Sequence, residues 1–299
     1  MLLRLAPLLF VILWSTGFIA SKVAGEHAEP FTLLLVRFAL TFALLMGWAV
    51  WTRIDWPTRP ALIHAAVTGI LIHTAYIGGV LWALRLGMPS GVVAAVVCLQ
   101  PVLTGILAGP LLGERPGRQH WLGLAVGLAG VLMVLAPKLA AVSPAGALGP
   151  LSVVMVLAAL IGITLGTINQ KRHGATGDLI GLTIAQYAGA TAVAGMIALA
   201  TEDMAIAWTA EFTLALAWLV LVLSIGAIGL LMLLIRASAV SSVTGLFYLV
   251  PAVTALMAAA MFGETLSIVQ LAGMALVMAA VAVLRPAAMP PGGQRPHQE

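Results

Sequence analysis

From Phe31 to Val50 the chain runs for twenty residues with a single charge, Arg37. Stretches of this kind follow one another along nearly the whole sequence, with only short polar breaks between them. About 20 apolar residues in a helix cross the hydrocarbon of a bilayer. In hydrocarbon the backbone must bond itself, which leaves helices or closed barrels. Barrel strands alternate with period two and these runs do not, so helices are expected. With 62% hydrophobic and 8% charged residues and a mean hydropathy of +1.12, against about 25% charged in soluble domains, the chain cannot cover a surface that faces water. The expected spans are Leu5–Ala24, Phe31–Trp51, Ala61–Leu84, Ser90–Leu112, Gln119–Ala136, Leu148–Gln170, Asp178–Ala200, Phe212–Ile235, Ser241–Phe262 and Ser267–Leu284. The Pro/Gly-rich polar tail beyond them is expected to be disordered.

The chain uses one pattern twice. Pro101, Thr104, Gly113, Glu114, Gly123 and Ala129 recur 150 residues later as Pro251, Thr254, Gly263, Glu264, Gly273 and Ala279. Ala matches are cheap in so apolar a sequence, but a proline followed at fixed spacing by Gly-Glu at a helix end is not. At an offset of 149, Gly17, Ile19 and Lys22 meet Gly166, Ile168 and Lys171, and Arg37-Phe38 meets Gln186-Tyr187. The sequence therefore reads as an internal duplication, with residues 1–140 and 141–285 as its two five-helix halves and 286–299 as a cytoplasmic tail.

The Pro…Gly-Glu unit, its Gly/Ala-rich following helix and the doubling resemble the drug/metabolite transporter superfamily, in particular its ten-helix EamA-type exporters. Trp14…Phe18…Lys22 is similar to the aromatic and lysine pattern that opens this superfamily. That argues that the first span is retained rather than cleaved as a signal peptide. The stretch from Arg85 through Met88-Pro89-Ser90-Gly91 to Gln100-Pro101 looks most like the YddG-type branch, exporters of aromatic amino acids. The resemblance implies an all-α integral membrane fold of ten transmembrane helices in two inverted-topology repeats. In it the first, third, fourth, sixth, eighth and ninth helices line a central cavity, and the fifth and tenth act as scaffold.

Orientation follows from Lys and Arg. With the N-terminus in the cytoplasm, Arg4, Arg53, Arg59, Arg115, Arg118, Lys171, Arg172, Arg236, Arg285 and Arg295 lie inside. Only Lys22, Arg85 and Lys138 lie outside, and Arg37 is embedded. The positive-inside rule puts both termini in the cytoplasm, and halves of five helices then enter from opposite sides, an inverted repeat with its site near the midplane. The expected location is the inner membrane.

Candidate site residues come from polar and aromatic side chains inside spans. Pro101 and Pro251 each remove a backbone hydrogen bond, freeing the carbonyls of Val97 and Phe247 for a ligand, a kink or a hinge. Gly79 and Gly229 are expected to let their helices bend or approach closely. The substrate is expected to meet Trp14, Ser15, His73, Tyr76, Gln100, Thr164 and Tyr248: rings to stack on and polar groups to hold a zwitterion. A histidine in a span either faces a cavity or bonds a neighbouring helix. Arg37 either binds a substrate carboxylate, snorkels to the interface or bonds carbonyls, and the structural role is favoured. Glu114 and Glu264 sit at helix C-termini, where the macrodipole disfavours anions. Each is expected to meet a basic residue or the N-terminus of another helix.

No Asp or Glu lies mid-span, and no Gly-x-x-x-x-Gly-Lys-Ser/Thr loop, His-Glu-x-x-His motif or Ser/His/Asp set occurs. With Cys98 the only cysteine, no disulfide forms within the chain. The expected function is export of small amphipathic metabolites, most of all aromatic amino acids, by alternating access, with neither enzymatic activity nor cofactor nor metal. The partners are a small-molecule substrate and the bilayer, without nucleic acid, and a monomer fits. Labelling of single cysteines in a Cys98→Ala background is predicted to find positions near Arg53, Arg115 and Arg236 inside and those near Glu26, Lys138 and Glu202 outside. An outside 115 loop contradicts both the orientation and the inverted repeat.

Overall fold

The computed structural model describes residues 2–114, 116–140, 149–174, 177–262 and 266–284. Arg115, Gly263, Glu264, the meeting point of the expected halves at 141–148 and the tail 286–299 lie outside the described residues. Regular structure among the described residues is helical, apart from one isolated antiparallel bridge between Ala28 and Ile206. In chain order the rods are α1 (Leu2–Gly25), α2 (Pro30–Thr52), α3 (Arg59–Arg85), α4 (Ser90–Leu112), α5 (Arg118–Ala140), α6 (Pro150–His173), α7 (Leu179–Thr201), α8 (Ala210–Ala237), α9 (240–262) and α10 (Ile268–Leu284). The first eight are long and apolar enough to cross a membrane. The apolar parts of the last two, Ser242–Met257 and Ile268–Ala282, are shorter. Leu199, Leu214 and Ile268 are among many large apolar side chains left on the outer surface, as lipid and not water requires.

Local chemistry sets the helix ends. Asp178 Oδ1 accepts from the Ile180 and Gly181 amides at 2.8 and 3.0 Å and caps α7. It stands just before the helix instead of inside it. Thr209 caps α8 through the Phe212 amide. Proline stands in the first turn of α2, α3 and α6, where its missing N–H leaves no bond unmade. Gly113, at φ 71°, ends α4 in the left-handed region.

Two kinds of interruption recur about 149 residues apart. The α3 ladder widens to π-helical bonding over Ile70–Gly78, and α8 does the same over Leu219–Ala227, 149 residues later. In α4 the helix stops at Val97, turns through Cys98 and Leu99, and restarts at Gln100. In α9 a 3-10 turn over Leu246–Tyr248 stands in the matching place. Pro101 and Pro251 are therefore not in the interior of unbroken helices. Each lies in the first turn of a restarted segment. The carbonyls before them belong to a turn with i→i+3 bonding, as the Leu99 amide donating to Val96 O shows, and not to a continuous α ladder with one rung missing.

Helix packing repeats the same exchange. α1 packs on α8 and α9, and α6 packs on α3 and α4; α2 pairs with α7, and α5 with α10. Glycine permits the closest crossings. A Cβ on Gly69 of α3 would stand 2.0 Å from the Gln186 carbonyl of α7. One on Gly273 of α10 would stand 2.6 Å from the Gly130 carbonyl of α5. Gly79, expected to let its helix bend or approach closely, stands against α6: a Cβ there would lie 2.6 Å from Met155 O. Gly229 has open space around it. Gly69→Val is predicted to lower thermal stability in detergent by about 1–3 kcal/mol, because the obstacle is backbone that cannot rotate away. Gly229→Ala should leave the melting temperature unchanged or slightly raised.

Candidate functional site

A cavity of about 600 Å³ enters the bundle at the end that carries the α1–α2 and α7–α8 connections. Its mouth is framed by Lys22, Glu26, Glu29, Arg85 and Ala205. Its walls are Gly17, Phe18, Leu33, Ile77, Val80, Leu81, Leu223 and Ile228, and Trp14, Tyr76 and Arg37 lie deepest along α1, α3 and α2. The volume is that of small-molecule sites, about 300–1,000 Å³, and the mix of apolar walls and few polar groups is typical of them.

Trp14 belongs to a cluster of rings whose other two members lie outside the cavity lining. Phe10, Trp14 and Phe247 pack with centroids 5.2, 5.2 and 5.4 Å apart, two of the three contacts edge-on. The 3-10 turn of α9 carries Phe247 to this position.

Arg37 is 5% exposed and stands about 10 Å along α2 from Pro30, by helical rise. Its Nε donates to Ser224 Oγ at 2.9 Å, and its guanidinium lies 5.8 Å from the Phe38 ring. Ser224 belongs to the wide turn of α8, and its carbonyl accepts from Tyr187 Oη at 2.9 Å. His73, from the wide turn of α3, stacks on Tyr187 at 4.5 Å and 7°.

At the mouth, Glu202 accepts from the Phe31 and Thr32 amides at 2.9 and 2.7 Å and from Thr32 Oγ1. It thus caps α2 from another part of the chain, with the favourable sign for a helix N-terminus. Arg85 bonds Glu29 and lies 3.7 Å from Glu202, and Glu29 also accepts from the Asp203 amide. These bonds and the Ala28–Ile206 bridge tie the two loops together.

Of the expected contact residues, Trp14 and Tyr76 line the cavity, and the others do not. Ser15 Oγ donates to the carbonyl of Val11 and reaches that of Val250. Thr164 bonds Leu160 O within α6. His73, Gln100 and Tyr248 are buried outside the cavity, and among the described residues no partner meets either His73 ring nitrogen, Gln100 Nε2 or Tyr248 Oη. Neither do Pro101, Pro251, Gly79 or Gly229 line it. α4, α6 and α9 contribute no lining, and α2, expected outside the set, contributes Leu33 and Arg37. At the opposite end Glu114 Oε1 accepts from the Val240 amide at 2.9 Å, so it does meet the N-terminus of another helix.

Comparison with known proteins adds identity to this geometry. Residues 3–136 match the EamA-like transporter family. The chain is 28% identical over 280 residues to an Escherichia coli K12 protein named "Uncharacterized inner membrane transporter YedA", covering 91% of this chain and 87% of that one. It is 28% identical over 286 residues to the Bacillus subtilis 168 protein "Uncharacterized transporter YvbV", covering 92% and 88%. A Salmonella typhimurium LT2 protein named "Probable amino-acid metabolite efflux pump" is 26% identical over 286 residues, covering 91% of each. A solved crystal structure shares the fold with a TM-score of 0.78 at 20% identity, covering 94% of this chain and 96% of that one. The family and the relatives carry the names of transporters and not of enzymes.

The hydrogen bond from Arg85 holds the Glu29 carboxyl below its ordinary 4.5, with the Asp203 amide adding to the effect and desolvation opposing it. A depressed carboxyl contributes stability above its unfolded value and loses it as pH falls through the lower folded value. Wild type is therefore predicted to melt higher than Glu29→Gln at neutral pH. The gap should close as the pH is lowered below 4.5, read by thermal melts across pH. A gap that is constant with pH contradicts a role for the charge.

Proposed function

We propose that this protein is a multi-pass secondary transporter of the EamA type, set in the inner membrane. It exports small amphipathic metabolites, aromatic amino acids foremost, by alternating access between two inverted five-helix repeats, 1–140 and 141–285. The observation that carries this reading is the cavity: a site-sized space reached from one end of the bundle, with Trp14 and Tyr76 among its lining residues. With both termini cytoplasmic, its mouth faces outward. Trp14 and Tyr76 offer faces for an aromatic side chain. The recurring wide turns, the recurring breaks before Pro101 and Pro251 and the exchangeable helix pairings all support two equivalent halves. All ten rods cross the membrane in this reading.

The resting side of the molecule also fits it. Gln100, Thr104, Tyr248 and Thr254 hold buried polar atoms that no partner satisfies among the described residues. Such atoms require a partner at some stage. These four stand along α4 and α9 beside the two breaks, where a substrate would pass once the opposite end opens. Export of other amino acids or of drug-like compounds is the nearest alternative on the same scaffold, favoured by the relative named as an efflux pump for amino-acid metabolites. A lipid-intermediate flippase would need a headgroup site reached from the side.

No carboxylate lies mid-span to relay a proton, so transport down a substrate gradient without an obligatory proton is part of the proposal. Vesicles reconstituted with the full chain and loaded with labelled phenylalanine or tryptophan are predicted to lose label faster than protein-free vesicles, with or without a pH gradient. Efflux that stops when the pH gradient is collapsed sinks uncoupled transport. Absence of efflux for every amino acid tried sinks the export reading.

A further inference from the structure

We propose that Arg37 is the anion anchor of the cavity and that its ligand is a carboxylate-bearing molecule with an apolar body, for which an ammonium group is dispensable. What happens after binding rests on the transport reading; binding itself does not. A guanidinium carries five donors in a planar fork matched to a carboxylate. In this protein one of them, on Nε, is taken by Ser224 Oγ. Among the described residues no carboxylate lies within ion-pair distance of Arg37, and no protein acceptor meets Nη1 or Nη2. An unpaired buried cation costs several kcal/mol, yet this one is built in. Ser224 holds its Nε, Tyr187 holds Ser224 and His73 packs on Tyr187. The terminal nitrogens are left to the cavity that Arg37 lines.

The surroundings set the ligand's class. Leu33, Ile77, Leu223, Trp14 and Tyr76 offer apolar surface beside the guanidinium. Among the described lining residues no second cation stands at that depth: Lys22 is at the mouth and Arg85 is paired with Glu29 and Glu202. A single positive charge suits a monoanion and not a dianionic phosphate. The cavity's acids, Glu26 and Glu29, are at the mouth, so among the described lining residues no carboxylate near Arg37 pairs with an ammonium.

Titration calorimetry on the detergent-purified full chain tests this with hydrocinnamate, its neutral amide, phenethylamine and phenylalanine. Hydrocinnamate and phenylalanine are expected to bind, the amide about 30-fold more weakly, which is the lower range for unpairing a buried hydrogen-bonded charge. Phenethylamine is expected not to bind. Arg37→Gln should bring acid and amide to equal affinity, and Arg37→Lys should keep the preference in reduced form. Should Arg37→Gln fail to fold, the wild-type ratio and the lysine variant decide. Equal binding of acid and amide by wild type overturns the anchor, as does a retained preference in Arg37→Gln or no binding of any acid. Carboxylate-selective binding without efflux from vesicles leaves the anchor standing and overturns the transport reading.

A different observation points to a pair of alternating latches at the two ends of the molecule. Lys171 Nζ donates to the Ile235 carbonyl at 2.9 Å and to that of Ser238, tying α6 to the end of α8. Its mate 149 residues earlier, Lys22, is exposed at the cavity mouth, with no partner among the described residues. The matching carbonyls, 149 residues earlier, are those of Leu86 and Pro89, just past the end of α3. Lys22 caps them when the mouth closes, while Lys171 lets go. This inference rests on alternating access. Electron-spin distances between labels at Leu84 and Ala205, across the mouth, in a Cys98→Ala background read it. Lys22→Met is expected to raise the open-mouth population and Lys171→Met to lower it. Shifts of the same sign, or none in either variant, overturn the latch pair; a second distance peak in the parent protein would still support alternating access.

Discussion

A peptide backbone in hydrocarbon has to find its hydrogen bonds within the protein, and this chain meets that demand with helices almost everywhere. Its departures are few and ordered. The ladder widens in α3 and α8 and breaks in α4 and α9, each pair about 149 residues apart. The two wide turns carry side chains of the cavity region, and the 3-10 turn sets Phe247 against the lining residue Trp14. Tyr76 comes from one wide turn, Leu223 and Ser224 from the other, and Phe247 from the 3-10 turn. π-helical turns inside α-helices often mark functional positions, and here they bring a polar atom, Ser224 Oγ, to a buried cation.

The interactions at the two ends differ in weight. The Arg85–Glu29 pair has a half-exposed guanidinium, and such pairs contribute about 0–1 kcal/mol because water and salt screen them. Glu202 is another matter: its carboxylate is fully buried and meets two backbone amides and a hydroxyl at the start of α2. Losing it leaves donors unmade at the head of the helix that carries Arg37.

Much of this was legible in the residues and some was not, for physical reasons. Apolar length and proline or glycine punctuation give the rods to within a few residues, because propensity and capping are local. The Pro…Gly-Glu doubling points to the paired breaks, and the macrodipole argument correctly sends Glu114 to the head of another helix. Which face of a rod looks inward is hidden when the rod is apolar all round. Ser15, Thr164 and His73 were therefore expected in the cavity and are instead spent on backbone carbonyls or on Tyr187. The structural role favoured for Arg37 missed its place in the cavity wall, although an embedded charge with no carboxylate elsewhere in the spans was the available signal. Glu202 gives no signal at all: its partners are more than 150 residues away.

The ring cluster beside the cavity has a further consequence for the cell. Phe10, Trp14 and Phe247 pack on one another beside the cavity, and the only polar side-chain atom among them is one indole nitrogen. Water files need successive acceptors and donors, and a single indole N–H supplies no such succession. In the proposed transporter, protons hopping along solvent in the open half would stop at such a cluster, so the stationary molecule would act as electrical insulation and would not drain the membrane potential while its mouth stands open.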